Sequence, residues 1–191
     1  MKEKINSFFN IVGLVFGLVI TQTFYKIRFG AIGRKTILFG RFTSLTHPEC
    51  VFIGDRVRIL KNARLDCITS WMGDNFQPSL VVGSNVNIGQ NFFVSCASDI
   101  FIDDGVLISD NVAIVDTNHM CEEGLSCSET PITTNKVTIE RNVVIYRNVT
   151  ILSGSHIEEG AIVGANSVVK GRVLKNSLAV GSPAKMVNRG A

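Results

Sequence analysis

Charge is scarce in this sequence. Asp, Glu, Lys and Arg make up 18% of it, against about 25% in an ordinary soluble domain. With 46% hydrophobic residues, that excludes a disordered chain, which is rich in charge and poor in apolar side chains. Proline occurs four times, and the 17 glycines follow no three-residue period, so collagen-like and low-complexity chains are excluded as well. Cysteine comes in an odd number: Cys50, Cys67, Cys96, Cys121 and Cys127. With no C-x-x-C spacing, these point to free thiols in a reducing compartment rather than a disulfide framework or a zinc ribbon. There are just three histidines, His47, His119 and His156.

At 191 residues the chain has room for one domain, or one domain plus an appendage. Its formal charge of +3 conceals an uneven distribution. Residues 1–41 carry seven Lys/Arg and only Glu3 as an acid. Residues 42–159 carry seven Lys/Arg and fifteen acids, and residues 160–191 five Lys/Arg and no acid. Two basic ends flank an acidic middle.

Residues 5–25 hold no charge, with Lys2 and Lys4 before them and Lys26 and Arg28 after. Within this run Asn6, Asn10, Gly13, Gly17 and Thr21 recur at three- and four-residue steps, which on a helix makes one narrow small-or-polar stripe in an apolar surface. Three readings are open. A secretory signal is disfavoured because no A-x-A-like site follows. A membrane-spanning helix would just cover a bilayer core. A helix lying on a membrane face, or docked on its own protein, suits the flanking cations and the Gly13-x-x-x-Gly17 pair.

Downstream, aliphatic residues recur every sixth position: Ile53, Ile59, Leu65; Val82, Ile88, Val94; Ile102, Ile108, Ile114; and Ile139, Ile145, Ile151, Ile157, Val163, Val169. Four positions later Val or Ala is common, and Gly, Asn and Asp lie between. A period of six fits neither a helix nor a long strand. It fits a short strand and a turn, repeated, with three units closing one triangular coil and the aliphatic residue pointing inward onto its counterpart in the next coil. The corner residues supply the backbone freedom that turns need. The period breaks between Leu65 and Val82, between Val94 and Ile102, and between Ile114 and Ile139. A solenoid accommodates such breaks as loops off a corner, where function concentrates.

The segments Ile53-Gly54-Asp55, Val82-Gly83-Ser84, Ile88-Gly89-Gln90 and Val163-Gly164-Ala165 resemble the hexapeptide repeat of left-handed parallel β-helix acyltransferases. The resemblance spans about residues 31–185. It implies an all-β solenoid, a left-handed parallel β-helix over 31–172 with loops near 68–79 and 115–136. An apolar helix over 1–30 precedes it, and a short closing tail over 173–191 follows. Handedness comes from the resemblance alone.

Galactoside, maltose and polysaccharide sugar O-acetyltransferases of this family carry a catalytic histidine at the start of the long loop, which here reads Val115-Asp116-Thr117-Asn118-His119-Met120. By that resemblance His119 is the general base. Imidazole can serve so near neutral pH. Asn118 and Asp116 either orient the imidazole, touch the acceptor or form the turn. Ser95 aligns loosely with an acceptor-binding Asn of the galactoside enzymes. The C-terminal run Gly164-Ala165-Asn166-Ser167-Val168-Val169-Lys170, followed by Gly181-Ser182-Pro183-Ala184-Lys185, is similar to the family's coenzyme A-binding close. This assigns Ala165, Lys170 and Lys185 to the acetyl-CoA donor. Arg147 falls where members often carry Ser or Ala, so its contact is through backbone or absent. Lys170, Arg172, Lys175, Lys185 and Arg189, with no acid in that stretch of sequence, form an expected anion-attracting surface.

The expected activity is acetyl-CoA-dependent O-acetylation of a sugar hydroxyl, in surface polysaccharide biosynthesis, without a metal. The alternatives are N-acetylation of a nucleotide-linked amino sugar, another small acceptor, or a non-enzymatic solenoid. A zinc carbonic anhydrase on this fold would need an H-x4-H pair, which is missing. Nucleic acid is not an expected partner, because the basic ends lack interleaved aromatics. The resemblance implies a homotrimer with sites between neighbours. The cytoplasm, against the inner face of the membrane through residues 5–25, is the expected location.

Overall fold

The computed structural model describes residues 12–120, 126 and 130–187. Residues 5–11 of the apolar run, the loop residues Cys121, Glu122, Glu123 and Cys127, and Arg189 lie outside the described residues.

From Ala31 the chain winds through short strands that stack into three parallel sheets of seven, eight and six strands, the eighth strand being the return Lys185–Val187. Each turn of the solenoid contributes one strand to each sheet, so the sheets are the three faces of a triangular prism. Coil 1 is Ala31–Ile32, Ile37–Leu38 and Ser44–Thr46. Coil 2 is Val51–Ile53, Arg58–Ile59 and Arg64–Cys67. Coil 3 is Ser79–Val82, Asn87–Ile88 and Phe93–Cys96, and coil 4 Asp99–Ile102, Leu107–Ile108 and Ala113–Val115. Coil 5 is Val137–Ile139, Val144–Ile145 and Thr150–Ile151. Coil 6 is His156–Ile157, Ile162–Val163 and Val168–Val169. Coil 7 has Arg172–Val173 and Leu178–Val180 only, after which Lys185–Val187 returns antiparallel to Leu178–Val180 on face 2. The segment after residue 172 is therefore mostly a continuation of faces 1 and 2 rather than a separate tail.

The period-six aliphatics are the core. On face 1, Ile32, Ile53, Val82, Ile102, Ile139, Ile157 and Val173 pair in register. Face 2 stacks Leu38, Ile59, Ile88, Ile108, Ile145, Val163 and Ala179. Face 3 stacks Leu45, Leu65, Val94, Ile114, Ile151 and Val169. All but Leu45 are buried. Each ladder is a row of aliphatic contacts one strand spacing apart, and burying it drives the winding.

The corners have their own ladders. Asn62, Asn91, Asn111, Asn148 and Asn166 turn between faces 2 and 3 with φ of 55–64°, a left-handed conformation that Asn tolerates. Each amide side chain donates to the next one up, at 2.8–3.2 Å. The Gly of the Ile/Val-Gly motif has a packing reason. A Cβ on Gly83 or Gly89 would stand 2.5 Å from Oδ1 of Asp104 or Asp110 in the following coil. Those carboxylates accept the amides of Ser84 (2.6 Å) and Gln90 (2.7 Å), so these acids of the middle segment staple coil to coil at a corner.

All the period breaks leave from one corner, between faces 3 and 1. The first forms the hairpin Ser70–Trp71/Asp74–Asn75, with Met72 and Gly73 at positive φ in its turn. The second is the pair Ala97-Ser98. The third forms the hairpin Thr117–His119/Ile132–Thr134. The α-helix over 12–20 continues as a π-helix, Thr21–Tyr25, against coil 1. No helix among the described residues is long and apolar enough to cross a membrane. Cys50, Cys67 and Cys96 are free thiols, the last two neighbours on face 3.

Candidate active site

His119 ends the first strand of the long-loop hairpin, exposed and paired in register with Ile132. Its hairpin is held at both ends. At the base, the Asp116 carbonyl accepts the Asn135 amide (2.9 Å) and the Ser153 hydroxyl (2.8 Å). At the tip, Met120 N–H donates to Pro131 O (3.0 Å). The lone tryptophan then bridges the two loops. Trp71 Nε1–H donates to the Thr130 carbonyl (3.0 Å), and its indole meets the His119 imidazole edge-on, centroids 5.4 Å apart at 79°.

Asn118 is exposed beside His119. Asp116 has another place. It is fully buried, and its carboxylate accepts the amides of Ala97 (2.9 Å) and Ser98 (2.8 Å). Burial raises its pKa above the usual carboxylate range, while those two amides pull it back down. Asp116 therefore ties the two-residue insertion of coil 3 to the start of the His119 loop, and no acceptor in solvent reaches it.

Ser95 is half-buried on face 3, flanked in register by Asp66 below and Val115 above. It lines a groove of about 370 Å³ together with Ser44, Thr46, His47, Asp66 and Thr69. Asp66 accepts the Ser44 hydroxyl (2.6 Å), the Thr46 hydroxyl (3.2 Å) and Arg64 Nε–H. His47 sits at the groove edge with φ of 48°. Its Nδ1 is 3.0 Å from Glu49 Oε1 and its Nε2 3.1 Å from Thr69 Oγ1. Ser70, also in the lining, precedes Trp71 in the chain, and Trp71 contacts His119, while the His119 hairpin itself does not line the groove. Trp71, which contacts His119, and His47 and Asp66, which line the groove, belong to this candidate site without any sequence motif that marks them.

The expected donor residues divide between two corners. Arg147 and Ala165 are exposed and stacked at the corner of faces 2 and 3, where Asn166 N–H donates to Arg147 O (3.0 Å). The closing segment passes beside them. Gly181 N–H donates to the Ser167 hydroxyl (3.0 Å) and Ala184 N–H to Val168 O (2.8 Å), after which Lys185 pairs with Val180. Lys170 is exposed at the other end of that face-3 strand, on the corner shared with the His119 loop. The acid-free surface expected at this end is corrected by stacking. Glu158 of coil 6 takes Arg172 and the Lys175 amide (2.8 Å), and Glu159 takes Lys175 Nζ (2.7 Å). Sequence distance hid these acids, which lie one coil below. His156 likewise has a partner, its Nε2 lying 2.7 Å from Glu140 Oε1. Among the described residues no group of three or more His, Cys, Asp or Glu side chains is arranged to hold a metal ion.

Residues 136–171, which make up coils 5 and 6, match the family model described as bacterial transferase hexapeptide (six repeats). No curated protein matches the chain. Among solved structures it is similar to a mutant of AntD, an N-acyltransferase from Bacillus cereus in complex with dTDP and coenzyme A. Identity is 21%, TM-score 0.72, with 87% of each chain covered. It is also similar to the hexapeptide-repeat containing-acetyltransferase VCA0836 from Vibrio cholerae, at 22% identity and TM-score 0.63, covering 90% of this chain and 80% of that one. A third is a maltose O-acetyltransferase from Clostridium difficile 630, at 21% identity and TM-score 0.59, covering 85% and 70%. The fold is thus the hexapeptide-repeat left-handed parallel β-helix.

Proposed function

We propose that the protein is an acyltransferase that moves an acetyl group from acetyl-CoA to a sugar hydroxyl, with His119 as general base. The observation that carries this reading is an exposed, indole-braced histidine on the corner between faces 3 and 1, from which a hydroxyl-lined groove on face 3 also opens, in a solenoid whose fold relatives include an N-acyltransferase solved with coenzyme A and a maltose O-acetyltransferase. Imidazole takes the proton of the acceptor hydroxyl as its oxygen attacks the thioester carbonyl. The C–S bond breaks as the C–O bond forms, and the imidazolium returns the proton to the departing thiolate. Holding both substrates in line contributes much of the rate.

The groove floor supports a polyhydroxyl acceptor. Ser44, Thr46, Thr69 and Ser95 present hydroxyls around the Asp66 carboxylate, a set that can exchange hydrogen bonds with a sugar ring. Asn118, next to His119 in the strand, is proposed to orient the imidazole or touch the acceptor. Ala165 and the backbone at Arg147 would follow the pantetheine arm, and the cations of Lys170 and Lys185 the phosphates. A second reading, N-acylation of a nucleotide-linked amino sugar, is favoured by the likeness to AntD, solved with dTDP and coenzyme A. Both readings use the same base. The assembly is proposed to be a homotrimer, because Leu60, Leu107 and Tyr146 leave apolar surface exposed along the solenoid. A monodisperse monomer in light scattering would count against it. A role in surface polysaccharide synthesis at the cytoplasmic side of the membrane is the setting proposed for the sugar reading.

The test is thiol release from acetyl-CoA with a panel of sugars and amino sugars. His119→Ala is expected to lose ~10²–10⁴-fold in turnover while still binding coenzyme A by calorimetry. Near-native turnover by that variant would sink the base assignment.

A further inference from the structure

The N-terminal helix is mounted with its polar side inward and its apolar side out, the reverse of a helix that covers a core. The side meeting coil 1 is small and polar over Gly17, Thr21 and Gln22, and ends on Tyr25, whose ring packs on Phe29 and Phe42. A Cβ on Gly17 would lie 3.0 Å from Ile37 Cγ2. Thr21 Oγ1 accepts the Leu38 amide (2.9 Å) and donates to Gly17 O (2.7 Å). Gln22 Nε2–H donates to Gly33 O (2.9 Å) and Thr36 O (3.3 Å). The outward side carries Val15, Phe16, Val19, Phe24 and Ile27, between 52% and 84% exposed. An apolar cleft of about 640 Å³, lined by Phe16, Ile20, Phe24 and Phe39, continues this surface onto face 2. Lys26 and Arg28 are exposed at its end, the Arg28 guanidinium lying 5.5 Å over the Phe24 ring. Residues 12–41 hold five Lys/Arg and no acid.

We propose that this face docks on a lipid bilayer bearing anionic headgroups. The helix lies in the plane of the interface with Val15, Phe16, Val19, Phe24 and Ile27 at the acyl boundary, and Lys26 and Arg28 reach the phosphates. The small-and-polar stripe serves as the mount that fixes which side faces the lipid. Charge favours lipid over a symmetric contact with a second copy, because two such faces would bring Lys26 and Arg28 against their equivalents, with no acid in the segment and with Glu49, the acid near Arg28, already facing that guanidinium. Docking stands apart from the acyl-transfer reading and can hold or fail without it.

The experiment is flotation of the full chain with vesicles of phosphatidylcholine, alone or with one quarter phosphatidylglycerol. Two variants accompany it: V15S/F16S/V19S, and K26E/R28E. These side chains face outward, and circular dichroism and thermal melting verify that each variant folds. The wild type is expected to float with the anionic vesicles and to be released by salt. The apolar variant should partition ~10-fold or more weakly, and the charge variant likewise. A wild type that stays with the bottom fraction at low salt overturns the proposal. So does an apolar variant that floats undiminished. So does an apolar variant with a smaller assembly mass in light scattering while the wild type fails to float, which would assign the face to a second copy.

Discussion

Trp71 and His119 lie 48 residues apart in the chain, yet their rings meet edge to face with centroids 5.4 Å apart. Two loops leaving the same corner, two coils apart, are joined by this contact and by the indole hydrogen bond to Thr130. The imidazole therefore has one side defined by an aromatic wall, and Trp71 is a positioning residue for the proposed base.

Trp71→Phe retains the ring and deletes the N–H donor to Thr130. It is expected to lower kcat roughly 10–100-fold, through misplacement of the base, with the KM for acetyl-CoA little changed. Trp71→Ala should lose more. Steady-state kinetics, with the His119 ring resonances followed by NMR across pH, distinguishes displacement of the imidazole from general loosening of the fold.

Asp116→Ala leaves the amides of Ala97 and Ser98 without their acceptor at a fully buried position. A loss of about 2–6 kcal/mol in unfolding free energy is expected, at about 1–3 kcal/mol for each of the two amides left unsatisfied. Urea denaturation measures it. Proteolysis at the 117–134 loop should quicken in the same variant, because the lost carboxylate ties the start of that hairpin to the Ala97-Ser98 insertion.

Gly89→Ala places a methyl group 2.5 Å from Asp110 Oδ1 and 2.6 Å from the Asp110 backbone nitrogen. The backbone of the next coil cannot rotate away as a side chain would. Destabilisation of about 1–3 kcal/mol is expected from overpacking, against a near-neutral effect for Gly73→Ala in space but a strained one in φ (+90°). Thermal melting of the two variants separates steric from conformational cost.

Acid should weaken the C-terminal coils. The Glu140 carboxyl is held below its ordinary 4.5 by the Glu159 amide and then by His156. Glu158 is held down by the Lys175 amide and then by Arg172. Folded values below unfolded ones mean that stabilisation is complete above 4.5 and is lost as pH falls through the lower folded values. The melting temperature should therefore decline as pH drops below 4.5, and Glu140→Gln with Glu158→Gln should flatten that decline.

Much of this architecture was legible because a solenoid writes its tertiary contacts as a local period. Ile139 to Val169 is six aliphatics at six-residue steps, and each faces the core for the same reason. Even the loop corner was encoded. Leu65, Val94 and Ile114 each close a run of three hexads, so every break follows a third strand and must leave from the same edge. His119 stands where one of those breaks opens, and its proposed role as base is what the family resemblance implies.

The remainder depended on which residues the winding places side by side. Asp116 and Asn118 were equal as turn residues in one dimension. Stacking puts Asp116 under the Ala97 and Ser98 amides and leaves Asn118 in solvent. The basic close at 160–191 looked free of acids until coil 6 set Glu158 and Glu159 beneath Arg172 and Lys175. The opposing readings of the apolar helix, docked or lipid-facing, are compatible in space, since Gly17 and Thr21 meet coil 1 while Phe16 and Val19 face away. Sequence alone determined the period, the inward face and the positions of the breaks, because those follow from burial repeated every six residues. Tertiary structure alone decided the partners across coils, because a hydrogen bond or ion pair between residues 14 to 59 positions apart exists only once the register of stacking is set.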